Sequence, residues 1–351
     1  MAIKKVTAST LAVSESADAL LKSTINSKLS PRALRGVSSG YLRDEVQPLL
    51  DQAGPQHVTH NVLRRIERRG LRVPKGISFR AKMLEMSEAR KLGVLRPTWA
   101  LDQKNSAYAF LDGLGVRRPQ SDTQTYSFDA LPRETPGVIK ATKSTGARGC
   151  YLLFSESRIV HVRDNETFSS WEDFENHARA LMARDDTTNP NPLPDRWMVE
   201  ELVLEDASAG TAARNLKFYA FYGEILLMQE SRREPDLEVA FWTADNQPTR
   251  TGRYEDLVFD GIGVTSEHLE TVSAISRAIP HPFMRIDMLN GQDGIVFGEF
   301  TPRPGNFDEF NDHWDRVLGE AWVRAESRIL ADLLHGRTFG PYLESTRLLE
   351  K

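Results

Sequence analysis

The sequence predicts an α+β protein built from helices and antiparallel hairpins, on three observations. Residues 283–301 read as two alternating strands around a turn; residues 137–154 read as strand, glycine-containing loop and strand; residues 1–75 show no strand alternation and read as helical pieces.

From the N-terminus, Ser16 to Leu29 and Val58 to Arg69 carry helical periodicity, and Pro31, Gly36, Gly40 and the Gly54-Pro55 pair break it. No strand followed by a Rossmann-type glycine loop occurs in this segment, and Val73 to Gly76 marks its boundary. Phe79 to Leu92 reads as a helix with Met83 and Met86 near one face, ending before Gly93 and Pro97. Tyr108 to Leu114 is a short helix, and Gly115 to Tyr126 a connection. The 137–154 loop lacks Gly-Lys-Ser/Thr, so it is not a P-loop. Trp171 to Ala183 is an amphipathic helix, 185–194 a polar loop, and Arg196 to Leu204 a strand running into an acidic stop. Asn215 to Glu224 alternates and enters a tight turn at Tyr222-Gly223. Lys217 lies at the centre of that apolar strand and needs a partner if buried. Arg232 and Arg233 follow the next strand, Thr265 to Ala278 is a helix, 308–335 is largely helical, and 333–351 is a tail.

The stretch 283–306 carries the clearest chemistry. Met284, Ile286 and Met288 fall on one face, Arg285 and Asp287 on the other. Asn290 to Gly294 has turn composition. If five residues form the loop, Leu289 faces Ile295, and Arg285, Asp287, Glu299 and Thr301 share one face. The two carboxylates then lie roughly 7–8 Å apart on a cross-strand diagonal, from which they can hold Mg²⁺ at about 2.1 Å per ligand. A solvated hairpin with scattered charges fits the same alternation.

The 351 residues allow two or three domains, and 40% hydrophobic content supports an ordinary core. No signal-peptide apolar region and no membrane-length apolar run is present, so the cytoplasm is the expected compartment. The single cysteine, Cys150, excludes an intramolecular disulfide and a cysteine zinc cluster. The net charge of −4 divides unevenly: residues 1–75 hold thirteen Lys/Arg against six Asp/Glu, or +7, leaving −11 for the remainder. A basic segment on an acidic body suits an anionic partner or docking of the two parts, and docking is the favoured reading. No nucleic-acid partner is expected.

Arg285-Ile-Asp287, a turn, and a strand ending Gly298-Glu-Phe-Thr-Pro-Arg-Pro-Gly305 together resemble the metal strands of the ATP-grasp superfamily. The nearest branch is the TupA-like one, named for teichuronopeptide biosynthesis. The resemblance implies that Asp287 and Glu299 hold Mg²⁺. The third ligand, usually Asn two positions after the Glu, would be Thr301 here, with Asn306 as the alternative. Lys82 resembles the first phosphate-facing lysine. Residues 137–154 resemble the phosphate flap, with Lys140 on the nucleotide phosphates, Lys143 and Arg148 in the loop, and amides around Gly146 and Gly149 closing over them. The 196–204 strand resembles the hinge. Glu200 would line the nucleotide there, backbone groups near Glu201, Leu202 and Val203 would read adenine, and Glu205 or Asp206 the ribose. The strand beginning Lys217-Phe matches the TupA-like pattern, and Asp315 and Gly319 fit its closing segment. Four ordered motifs thus cover about residues 76–335, and the missing Rossmann-type pre-domain is a departure.

The implied architecture is an ATP-grasp fold, two antiparallel-sheet subdomains sandwiching ATP. Its parts would be a basic helical segment (1–75), an entry helix and linker (76–135), a small flap subdomain (136–204), a metal-binding subdomain (205–335) and a tail (336–351). The implied activity is carboxylate–amine ligation through an acyl phosphate, with ATP and Mg²⁺ as cofactors. Lys140, Lys82 and Lys217 would offset phosphoryl charge and Arg285 would stabilise the oxyanion. Partners would be a carboxylate and an amine, and family analogy points to uronic acid polymers or peptides of the cell envelope. Two other readings remain open: a phosphotransferase of the same fold, separated by amine-dependent ADP release, and a non-catalytic nucleotide-binding or scaffold protein, motivated by Thr301 and the unfamiliar N-terminal segment.

Overall fold

The computed structural model describes residues 8–94, 98–122, 124–142, 146–183, 193–233 and 236–346. The chain divides into two units, residues 1–88 with 310–320, and residues 89–309 with 321–351. The first is helical. Its helices Ala8–Lys28, Gln47–Gln52 and His60–Glu67 enclose Ile25, Leu29, Val46, Leu50, Val62 and Ile66. Val62 and Ile66 stand four apart on the inner face of the third helix, whose start is capped by Thr59 accepting from the Val62 amide. Part of the basic excess is structural: Arg65 donates to the Leu29 carbonyl (2.9 Å) and Arg69 to that of Leu34 (3.1 Å). Asp315 accepts from the Arg80 amide (2.8 Å) and the Ser78 hydroxyl (2.7 Å). At Gly319 a Cβ would sit 2.8 Å from the Ser78 carbonyl carbon, so only glycine permits this approach.

The second unit holds two five-stranded sheets, every pairing antiparallel. In the first, β1 (Gly137–Ala141), β2 (Cys150–Ser155), β3 (Arg158–His161), β4 (Glu166–Phe168) and β5 (Trp197–Glu200) lie in the order β4-β3-β2-β1-β5. Ile139, Tyr151, Leu153, Ile159 and Trp197 pack from one face against Phe174, Ala178 and Leu181 of helix Trp171–Ala183. The other face carries Lys140. A small ribbon, β6 (Leu204–Asp206) with β7 (Thr211–Ala212), follows. The second sheet, β8 (Arg214–Phe221), β9 (Glu224–Arg232), β10 (Glu238–Thr243), β11 (Met284–Gly291) and β12 (Gly294–Thr301), has the order β10-β9-β8-β11-β12. At one end of this sheet the rings of Phe221 and Phe283 lie 5.0 Å apart, and Trp322 stacks on Phe283.

The β11–β12 hairpin differs from the five-residue loop expected of it. Gly291 pairs with Gly294, so Gln292 and Asp293 alone make the turn. A two-residue turn carried in strict register would oppose Asp287 to Gly298 and put Glu299 on the wrong face. A bulge restores the parity: Met288 pairs with Phe297, but Asp287 pairs with Glu299 and Arg285 with Thr301, leaving Gly298 as the extra residue. The carboxylates are therefore directly opposed rather than diagonal.

Other expectations are corrected in detail. The 196–204 strand breaks, since β5 ends at Glu200 and β6 begins at Leu204. The helix expected from Tyr108 starts at Lys104. The short strands β3, β4 and β10 carry no periodicity long enough to read. The expected tail contains a helix, Gly340–Thr346, packed on helix Lys104–Leu114, where Pro341 comes close to Gly113. No helix among the described residues is long and apolar enough to cross a membrane.

Candidate active site

On the second sheet, three adjacent strands put Lys217, Asp287 and Glu299 in one row across β8, β11 and β12. The strand period also places Arg285 and Thr301 on this face, one pleat along. Lys217 Nζ lies 2.5 Å from Asp287 Oδ2, so the partner this lysine required is a carboxylate of its own chain. Arg285 forks onto both Asp287 oxygens at 2.7 Å. It also donates to Thr301 Oγ1 (2.9 Å) and lies 3.5 Å from Glu299 Oε1. Burial pushes the Asp287 carboxyl up, but Arg285 and Lys217 outweigh it and hold the group ionised, below the usual range. The Asp287 side chain is 2% exposed and that of Glu299 62% exposed, so the row runs from a saturated buried carboxylate to an open one.

On the first sheet, Lys140 of β1 and Glu200 of β5 are diagonal neighbours, because Lys140 pairs with Met198 and Val138 with Glu200. Lys140 binds Glu200 Oε2, while Lys104 Nζ and the Tyr108 hydroxyl each donate to Oε1 at 2.7 Å. Burial opposes ionisation of Glu200, yet the two lysines hold its carboxyl down to about 2. Burial and the neighbouring Lys140 draw Lys104 down to about 8, with Glu200 resisting. Cys150 faces Lys140 across β1–β2 and also feels the charge of Arg233, just beyond β9.

Helix Lys104–Leu114 ties the two clusters together. Its first turns give Lys104 and Tyr108 to Glu200, while Tyr108 meets Phe297 edge-on (6.4 Å) and Phe110 tilts against Phe300 (5.9 Å) on β12. Just before it, Asp102 has its carboxyl raised by partial burial and by Glu299, against the pull of Arg90. Asp102 and Glu299 feel each other's charge, and Glu299 lies opposite Asp287 across the ladder; carboxylate oxygens are the donors that suit a hard divalent cation. Their mutual repulsion, seen at Asp102, is what such a cation would relieve.

The remaining predicted residues are placed as follows. Gly146 and Gly149 lie in a turn with φ 64° and 78°, and Ala147 also has positive φ at 59°. Arg148 belongs to the same turn, and Lys143 lies outside the described residues. At the hinge, the Glu201 amide is bonded to the Gln120 carbonyl (2.9 Å), and the Val203 carbonyl accepts from Ala213 (3.1 Å); Leu202 between them is buried. Glu201 pairs with Arg117 at 2.7 Å. Glu205 accepts from Arg214 (2.5 Å) and Asn290 (2.9 Å), and Asp206 from the amides of Ser208 and Ala209, so both acids expected at ribose already hold local structure. Thr301 donates to Glu299 (3.1 Å) while accepting from Arg285, which makes it a link between these two. Asn306 turns its amide onto Glu309 at 2.8 Å. Lys82, in the helical unit, pairs with Glu85 at 3.2 Å.

Sequence reasoning missed Lys104, Tyr108 and Asp102. The available signal was weak: Asp102-Gln-Lys104 precedes a helix whose apolar positions 107, 108, 110 and 111 face inward, which aims 104 and 108 along one side.

Residues 84–323 match the family described as TupA-like ATPgrasp. No match to a curated protein was found. Among solved structures, the chain is similar to an ATP-grasp ligase, PsnB, complexed with a phosphomimetic variant of a minimal precursor, Mg and ADP. Identity is 12% and the TM-score 0.37, over 76% of this chain and 66% of that one. A D-alanine–D-alanine ligase from Bacillus anthracis complexed with ATP matches at 12% identity and TM-score 0.36, over 66% of each chain. The same ligase in a second structure gives 13% and 0.38, over 79% and 78%. The chain therefore spans just under two thirds of the length of the first two structures.

Proposed function

The chain belongs to the TupA-like ATP-grasp family and has the ATP-grasp fold with a helical segment before it, and we propose that it is an ATP-dependent carboxylate–amine ligase. One observation carries this reading: two polar clusters of opposite surplus charge are held by a single helix. On the first sheet two lysines surround one carboxylate, Glu200. On the second, Lys217 and Arg285 stand against Asp287, Glu299 and the nearby Asp102. The first suits phosphate oxygens and the second a cation.

On this reading residues 136–204 form the phosphate flap and 205–335 the metal-binding part. Lys140 and Lys104 bind anionic phosphate oxygens of ATP, with Glu200 and Tyr108 fixing where the two ammonium groups sit. Mg²⁺, held by Glu299 and Asp287 with Asp102 beside them, would supply neutralisation of charge on the transferring phosphoryl group. A substrate carboxylate oxygen attacks the γ-phosphorus, the bond to the β,γ-bridging oxygen breaks, and ADP leaves. An amine nitrogen then attacks the acyl carbon, the bond from that carbon to the phosphate oxygen breaks, and inorganic phosphate and a proton are released. Arg285, buried and forked on Asp287, presents its guanidinium to the oxyanion formed in the second step. Lys217 holds Asp287 from the other side. Uronic acids of an envelope polysaccharide, or a peptide, are the substrate classes the family suggests, and ATP dependence puts the reaction in the cytoplasm.

The test is ADP release with Mg²⁺ across acid and amine pairs. The ligase reading expects release that requires both partners and yields an amide. Release with the acid alone, accompanied by a stable phosphorylated product, would make the protein a phosphotransferase. No release with any acceptor would leave nucleotide binding without turnover.

A further inference from the structure

The face of the first sheet opposite Lys140 carries a second cluster. Cross-strand pairing puts Ile139, Tyr151 and His161 in one row, while Lys140 and Cys150 point the other way. His161, the last residue of β3, is fully buried, and neither ring nitrogen has a hydrogen-bond partner among the described residues. Its Nδ1 lies 3.2 Å from Asp164 Oδ2 without making a hydrogen bond to it. Buried polar atoms left in this state are costly, and nearly all find a partner. His177 of helix Trp171–Ala183 stands over the same spot, its ring edge-on to that of His161 at 4.7 Å. The Tyr151 hydroxyl is 3.0 Å from His177 Nδ1, and His177 Nε2 is 3.7 Å from Glu166 Oε2. If Nδ1–H donates to Tyr151, Nε2 carries the lone pair.

We propose that His161, Asp164 and His177 bind one divalent transition-metal ion of the zinc class, with Glu166 or water completing the set. One ligand atom from each of the three lies within 4.8 Å of the others. A tetrahedral zinc site needs donor atoms roughly 3.3 Å apart, given metal–ligand distances of about 2.0–2.2 Å. Asp164 is exposed and His177 half-buried, so both can close that gap by side-chain rotation. Two imidazoles select zinc-like ions over magnesium, which prefers oxygen and keeps its waters. The Tyr151–His177 contact is the outer-shell bond that orients a metal-bound imidazole. A cleft of about 350 Å³, lined by Glu166, Phe168, Asp173, Asn176 and His177 among others, opens beside the cluster and gives an ion its path. Bound there, the ion fastens the β3–β4 edge hairpin to the helix on the apolar face, bracing the sheet whose other face holds Lys140 and Glu200.

The experiment uses the full chain without a histidine tag, stripped with chelator, loaded with Zn²⁺ in the presence of excess Mg²⁺ and dialysed. Metal analysis should find about one zinc per chain, and zinc should raise the melting temperature. Asp164→Asn, at an exposed position that leaves folding intact, and His177→Gln should each weaken zinc binding by about tenfold or more and abolish the thermal shift. Wild-type protein that retains no zinc overturns the proposal. So does zinc retained equally by both variants, which would put the ion elsewhere.

Discussion

The two charged clusters of the second unit share a plan and differ in balance. Each centres on one buried carboxylate, Glu200 or Asp287, gripped by two cations. At Glu200 no second acid completes the group among the described residues, and Tyr108 adds a neutral donor, so the cluster keeps a net positive surplus. At Asp287 the ladder continues to Glu299, open to solvent, and Asp102 adds a third acid, so the surplus is negative. The buried carboxylate in both cases is a positioning device: it prevents two like charges from repelling each other out of place. What each cluster can bind is then set by the groups left at its rim.

The largest effect expected from breaking this plan is at Asp287. Asp287→Asn strands Arg285 and Lys217 without a counter-charge, and removing one partner of a buried pair costs about 3–5 kcal/mol. Urea denaturation should show that loss, and an unchanged midpoint would mean the two cations find other partners. Glu200→Gln should cost about 3 kcal/mol at pH 7, because the wild-type carboxyl is held near 2 in the folded state against about 4.3 unfolded. A depressed folded pKa contributes stability that is complete above the unfolded value and is lost as pH falls through the folded one. The difference between wild type and Glu200→Gln should therefore shrink between pH 5 and pH 2, and a gap constant over that range would remove Glu200 as its source. Lys140→Ala tests the positive cluster by function: one charge-assisted contact to phosphate is worth about 1.5–3 kcal/mol, so ATP binding measured by calorimetry should weaken roughly ten- to a hundredfold. Equal affinity in a folded variant would sink the flap reading. Glu299→Gln should change stability least, within about 0.5 kcal/mol for an open side chain. On the ligase reading, where Glu299 is a metal ligand, the change should nonetheless remove most turnover, lowering kcat more than KM for ATP. Wild-type turnover by this variant would take away the catalytic role of the acidic row.

Much of this was legible in the chain itself. Alternation in 283–289 and 295–301 is a backbone consequence of period two, and it assigned Arg285, Asp287, Glu299 and Thr301 to one polar face and Met284, Ile286 and Met288, all buried, to the other. The apolar strand around Lys217 required a partner if buried, and the family motifs pointed to the ATP-grasp fold. Register was not legible. The two-residue turn and the bulge at Gly298 are errors of one residue each, and they cancel in parity, so the faces came out right while the pairing did not. The partners of charged groups were also hidden. That Lys217 meets Asp287, that Lys140 shares Glu200 with Lys104, and that Glu205 is held by Arg214 and Asn290 depend on contacts between residues tens of positions apart in most cases. Local sequence determines which face a side chain occupies, because that follows from backbone geometry alone. Which charge it meets there is decided only when separate strands and the helix from Lys104 to Leu114 are packed together, since a Coulomb partner is chosen by distance in space and not along the chain.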